Sequence, residues 1–172
     1  MCLQLYLASP LTLSEVRSML PEGVAADLVS PAIQRQWSDH FPSARVVVTL
    51  RQGRCACGLA GQRHEDNEED ERRLRARYRK AGVDRQRVIT ALERHRRAPP
   101  QHGSPGAALL LAGFVAEHAR NAGPSLYFLD FSAESERMPP WPDSVPISIT
   151  ATQVRAEPGS WLPEQKPVLV SA

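Results

Sequence analysis

Three cysteines, Cys2, Cys55 and Cys57, are the residues of this 172-residue chain whose type and spacing most directly invite chemistry. Residues two apart on a strand project to the same face, so Cys55 and Cys57 converge if the strand bends, and Gly58 permits such a bend. Cys2, on a neighbouring strand, would supply a third sulfur. A zinc ion asks for four ligands with Zn–S distances near ~2.3 Å, and the fourth would be His64 or solvent. Zinc or iron is therefore the cofactor expected of a metal site here, and a redox-active thiol is the other chemistry open to the same residues. The paired Cys-x-x-Cys motifs of a zinc ribbon are absent. The competing reading makes all three small apolar core residues, which is how free cysteines ordinarily behave.

Cys2 also raises an N-terminal nucleophile, because removal of Met1 before a small residue would leave a cysteine whose own α-amine acts as base. Glutamine amidotransferases of that class usually continue Cys-Gly, whereas Cys2 is followed by Leu3-Gln4-Leu5.

The second constellation is charge. Residues 72–97 hold eleven of the 21 basic residues and two acids, Asp84 and Glu93, so this stretch carries about +9 and the rest of the chain about −7. Arg72, Arg73, Arg75, Arg77, Arg79, Lys80, Arg85 and Arg87 would face nucleic acid or an acidic protein. Against this stand three i,i+4 pairs in the favourable order, Glu68–Arg72, Glu69–Arg73 and Glu71–Arg75, and a single aromatic, Tyr78, for base stacking. The plainer reading is a solvated hairpin whose acidic start neutralises part of its basic body.

The histidines are scattered. His118 lies beside Glu117 and is expected at the polar edge of an apolar helix; Asp130 is expected to cap a turn at a strand end. No Gly-x-Gly-x-x-Gly, phosphate-binding loop, His-Glu-x-x-His or Gly-x-Ser-x-Gly occurs, so the standard nucleotide and hydrolase signatures are missing.

These residues depend on the elements that position them. Leu3, Leu5 and Leu7 alternate with Gln4 and Tyr6 as a strand with its leucines toward a core. Ser9-Pro10 ends it, and Thr12 or Ser14 caps a short helix through Val16, Met19 and Leu20. Residues 25–30 read as a brief extended piece, and 31–41 as a helical turn with Ile33, Trp37 and Phe41 on one side. The β-branched run Val46-Val47-Val48-Thr49, a turn at Gly53 and then Cys55–Leu59 predict a β-hairpin. A helix from Asn67 with Leu74, Tyr78 and Ala81 on one face ends at Gly82. Asp84 then caps a second helix carrying Val88, Ile89 and Leu92, so 67–97 is a basic αα-hairpin. Residues 107–122 form the most apolar helix, closed by Asn121 and Gly123. Residues 126–131 and the alternating 146–154 are predicted strands, and 167–170 an edge strand.

Interleaved strands and helices without a strict βαβ rhythm predict a single α+β domain over 1–172, with a mixed or antiparallel sheet packed against helices. With 42% hydrophobic residues the chain can fill a continuous core. No run approaches the roughly 20 apolar residues of a membrane span. The N-terminus lacks a basic and apolar leader, and three cysteines, two of them too close to pair, predict reduced thiols; a cytoplasmic location is the expectation.

Met1-Cys2-x-x-Leu5-Tyr6-x-Ala8-Ser9 together with Cys55-x-Cys57-Gly58 resembles a family of small bacterial proteins with no assigned activity. Its members open with Met-Cys and a Leu-Tyr-x-Ala-Ser strand, carry Cys-x-Cys-Gly-Phe after a hairpin, and end in helix, strand, loop, strand. Leu59 stands where that family has an aromatic, and the basic hairpin at 67–97 is a candidate insertion. The resemblance implies that Cys2, Cys55 and Cys57 belong to one pattern.

Overall fold

A computed structural model describes residues 2–53, 56, 58, 59, 72, 75, 76, 78, 79, 82–97, 105–132 and 144–172. The protein is α+β. Among the described residues there are six strands, β1 (Cys2–Ser9), β2 (Val24–Leu28), β3 (Val46–Gln52), β4 (Ser125–Ser132), β5 (Ile147–Thr150) and β6 (Val168–Ser171). They form one mixed sheet in the order β2-β3-β1-β4-β6-β5, antiparallel throughout except for the parallel β5–β6 pair.

The leucine alternation of β1 explains why it lies inside the sheet. Leu5 pairs with Leu50 on one side and Leu129 on the other, and the three form a row that is essentially sealed from solvent. Leu3, Leu5 and Leu7 enter the larger core with Val48, Leu50, Tyr127 and Leu129, while Tyr6 and Ala8 enter a smaller core on the opposite face. A strand buried on both faces cannot show simple polar alternation, and β1 and β4 do not.

Helices α1 (Leu13–Met19), α4 (Pro105–Ala122) and α5 (Ala151–Ala156) cover the larger core through Val16, the apolar face of α4 and Val154. Thr12 and Glu15 form a capping box on α1, and Arg17 then donates two hydrogen bonds, 2.9 and 3.1 Å, to the Ala26 carbonyl of edge strand β2. That guanidinium occupies a carbonyl that an intruding strand would otherwise use. Helix α2 (Pro31–His40), capped by Ser30, covers the smaller core with Trp37, which packs 5.5 Å from Tyr6 and 6.0 Å from Phe128, ring centre to ring centre.

Helix α3 (Arg85–Arg97) is capped by Asp84, whose Oδ1 accepts from Gln86 N–H at 2.8 Å. The helical residues before it end in a Schellman pattern, with Val83 N–H donating to the Tyr78 carbonyl and Gly82 N–H to that of Arg79. Gly82 has φ +65°, which is why glycine suits the position. Tyr78 and Leu92 meet in a third, small core with Val83 and Val88.

Three predicted elements differ. The expected hairpin over 44–59 does not form: both edges of β3 are already paired, to β2 and β1, and Ala56, Gly58 and Leu59 lie outside any strand. The predicted strand over 146–154 stops at Thr150, because Thr150 and Gln153 form a capping box that starts α5. The tail is not an edge strand: β6 is paired on both sides, by β4 and β5, and Val168 and Val170 are buried. Among the described residues no helix is long and apolar enough to cross a membrane.

Candidate functional site

The cysteine constellation begins at the start of β1, where Cys2 lies opposite Ser132 of β4 in the sheet register. Cys55, Cys57 and His64 fall outside the described residues, but Ala56, between the two cysteines in sequence, is described. Its N–H donates to the carbonyl of Leu3 at 3.0 Å, and its methyl is buried in the larger core beside Leu3. Leu59 N–H then donates to the Ala56 carbonyl at 2.9 Å and the Leu59 side chain enters the same core. Two buried apolar anchors thus hold backbone from this segment against the strand that Cys2 opens. Among the described residues no three His, Cys, Asp or Glu side chains are grouped to hold a metal ion.

The arginines are placed differently. Arg72, Arg75 and Arg79 are helical and exposed, as are Arg85 and Arg87 in the first turn of α3; Arg73, Arg77 and Lys80 lie outside the described residues. The spacing of 72, 75 and 79, three and four residues apart, is the spacing at which helical side chains become neighbours. Tyr78 turns the other way, into the small core, with 7% of its surface exposed.

A third group was not legible as a site in the sequence. Ser9, the last residue of β1, brings its Oγ to 2.9 Å from His118 Nε2 on α4. Leu11 N–H donates to the same Oγ at 3.0 Å, and the Tyr127 hydroxyl of β4 lies 3.3 Å from His118 Nδ1. The imidazole therefore joins one helix to two strands. Phe114 packs 5.5 Å from it, and Trp161 meets the Tyr127 ring edge-on at 5.4 Å. Ser9, His118 and Tyr127 are all fully buried. Burial pulls the His118 pKa down to about 4, so the ring is neutral at pH 7, and burial pushes the Tyr127 phenol well above its ordinary range.

A neutral imidazole against a serine hydroxyl is the pairing of a general base with a nucleophile. Here it is sealed, and what it does in this state is satisfy buried polar groups and fasten α4 across the sheet. The expectation that His118 sits at a polar helix edge is therefore wrong. Leu111, Phe114, Val115 and His118 recur at helical spacing and are all buried, so the helix period itself assigns His118 to the core face.

Asp130 also departs from expectation. It lies within β4, opposite Gln4 of β1, and does not end the strand. Burial and then the Asp130 charge hold the Tyr6 phenol above its ordinary range, and the Tyr6 hydroxyl donates to Gln4 Oε1.

No protein-family model, curated protein or solved structure matches this chain.

Proposed function

We propose that Cys2, Cys55 and Cys57 act together as a thiolate site that holds zinc or iron, with His64 as the candidate fourth ligand. The observation that carries this reading is the hydrogen bond from Ala56 N–H to the Leu3 carbonyl, since it ties the residue between two of the cysteines to the residue after the third. Thiolates are the binding form, so a metal would stay bound at neutral pH and be released by acid. Metal content of the untagged protein, measured by elemental mass spectrometry beside Cys55→Ser and Cys57→Ser, tests it. Near-stoichiometric metal lost in both variants supports the site. No metal, with all three thiols slow toward a thiol reagent in the folded protein, assigns them to the core.

A second reading, a non-enzymatic module that binds nucleic acid or an acidic protein through its arginines, has its own support. All five described arginines of the group are exposed, while the apolar residues near them, Tyr78 and Leu92, are turned into the small core. Binding to a polyanionic resin that weakens steeply with salt is the expected behaviour.

A further inference from the structure

We infer that the outer edge of β2 is a self-association surface, independent of both readings above, which takes β2 of a second copy of this chain in antiparallel register about Ala26, and that Arg17 is the latch that keeps it closed. Among the described residues the sheet ends at β2 on one side and at β5 on the other. Val29 N–H donates to the carbonyl of Val47, directly across from it, so by the alternation of an antiparallel ladder the N–H and C=O groups of Val24, Ala26 and Leu28 point away from β3. Val24 N–H is taken by the Pro21 carbonyl at 3.1 Å, and the Ala26 carbonyl by the Arg17 guanidinium. The strand itself, Val24-Ala25-Ala26-Asp27-Leu28, has no proline or lysine to blunt its edge. The β5 edge is guarded in the backbone: Pro146 before it has no N–H, and Thr150 N–H is given to Gln153 Oε1 at 2.8 Å in the α5 cap. On β2 the central carbonyl is closed by an exposed side chain, which can rotate away.

A second copy is the occupant that fits this edge. With Ala26 opposite Ala26 of the second copy all five residues overlap, Leu28 stands opposite Val24, and Asp27 opposite Ala25. Leu28 is 60% exposed in the single chain, and this register gives it an apolar neighbour on the face of the larger core, against which Val24 already packs. On the other face Arg51 lies across from Ala25, so the row continues from Arg51 over Ala25 to Asp27 of the second copy, two strand spacings of about 10 Å with one methyl group between the charges. Arg51 pairs through Nε with Asp27 of its own chain and through Nη1 with the Gly53 carbonyl at 2.6 Å, leaving Nη2 to donate to the neighbouring carboxylate. The two-fold thereby turns two ion pairs into four alternating charges. Centring the register on Asp27 instead would set the two carboxylates directly opposite each other, which like-charge repulsion disfavours.

Sedimentation equilibrium of the full chain tests this, with the wild type beside Arg17→Met and Arg17→Lys. Opening the edge in the wild type gives up the charge-assisted hydrogen bonds of two guanidiniums per dimer, so Arg17→Met should dimerise about 100-fold more tightly, about tenfold for each guanidinium. Arg17→Lys keeps a cation on the edge and should remain monomeric at concentrations where Arg17→Met is dimeric. Hydrogen exchange should show the Ala26 and Leu28 amides protected in the Arg17→Met dimer, and adding Leu28→Lys should remove both the dimer and the protection. Arg17 is exposed, and α1 is held by buried Val16 and its capping box; Arg17→Ala serves the same purpose if the thioether disturbs the helix. A folded Arg17→Met or Arg17→Ala protein no more associated than the wild type would overturn the latch. A dimer whose Ala26 and Leu28 amides stay unprotected, or that Leu28→Lys does not break, would overturn the β2 edge as its interface.

Discussion

Ser9 Oγ and His118 Nε2, 109 positions apart in the chain, meet at 2.9 Å in the interior of the protein. The contact joins the end of β1 to the C-terminal half of α4, and Tyr127 of β4 completes it on the other ring nitrogen. The imidazole is neutral because its burial disfavours the charged form.

Stability should therefore fall in acid in a definite window. The folded pKa of about 4 lies below the unfolded value near 6.5, so the unfolded chain binds the proton first. The contribution is fully present above pH ~6.5 and is lost progressively as pH falls toward 4, amounting to about 3 kcal/mol when the loss is complete. Urea unfolding midpoints at pH 7 and pH 4.5, compared between the wild type and His118→Gln, should show a smaller pH dependence in the variant. Equal dependence in both proteins would place the acid sensitivity elsewhere.

Ser9→Ala removes the partner of His118 Nε2 and the acceptor of Leu11 N–H at once. Leaving buried polar groups unpaired costs about 1–3 kcal/mol. Because Tyr127 serves the other ring nitrogen, Ser9→Ala and Tyr127→Phe should couple, with the double variant departing from additivity by about 1 kcal/mol in a denaturation cycle. Strict additivity would show that the two hydroxyls do not act through a shared imidazole.

The Leu50-Leu5-Leu129 row makes Leu5 the place where a cavity is hardest to refill, since paired strands flank it and helices cover it. Leu5→Ala should destabilise the protein by about 3–5 kcal/mol, against less than about 1.5 kcal/mol for Leu5→Met. Chemical denaturation of the three proteins at pH 7 measures the difference.

Thr150 ends β5 and caps α5 in the same residue. Thr150→Ala should cost about 1 kcal/mol, and Thr150→Ser should recover most of it, because the capping oxygen is what matters. A Thr150→Ala protein as stable as wild type would mean that packing of Val154 alone holds α5 in place.

Much of the local structure follows from short-range chemistry. The leucine alternation announces β1, Thr12 and Asp84 announce the starts of α1 and α3, and Gly82 and Gly123 mark helix ends at positive φ. The α+β class follows from the spacing of those elements. Where the reading failed, the deciding partner was far away in sequence. Val46–Val48 looks like one arm of a hairpin until β1 and β2 are seen to occupy both of its edges, and Val168–Val170 looks like an edge until β4 and β5 flank it. Residues 151–154 alternate like a strand, yet the Thr150–Gln153 capping box turns them into helix.

The sites divide along the same line. Residue types and charge were enough to single out Cys2, Cys55, Cys57 and the arginines, because thiols and a +9 excess are properties of the chain. That Ala56 is bonded to Leu3, that Tyr78 is turned away from the arginines, and that Ser9, His118 and Tyr127 share one buried network are decided by tertiary structure. A hydrogen bond between residues 109 apart leaves no periodic trace in the sequence, since its two ends are brought together by the packing of α4 onto the sheet and by nothing local.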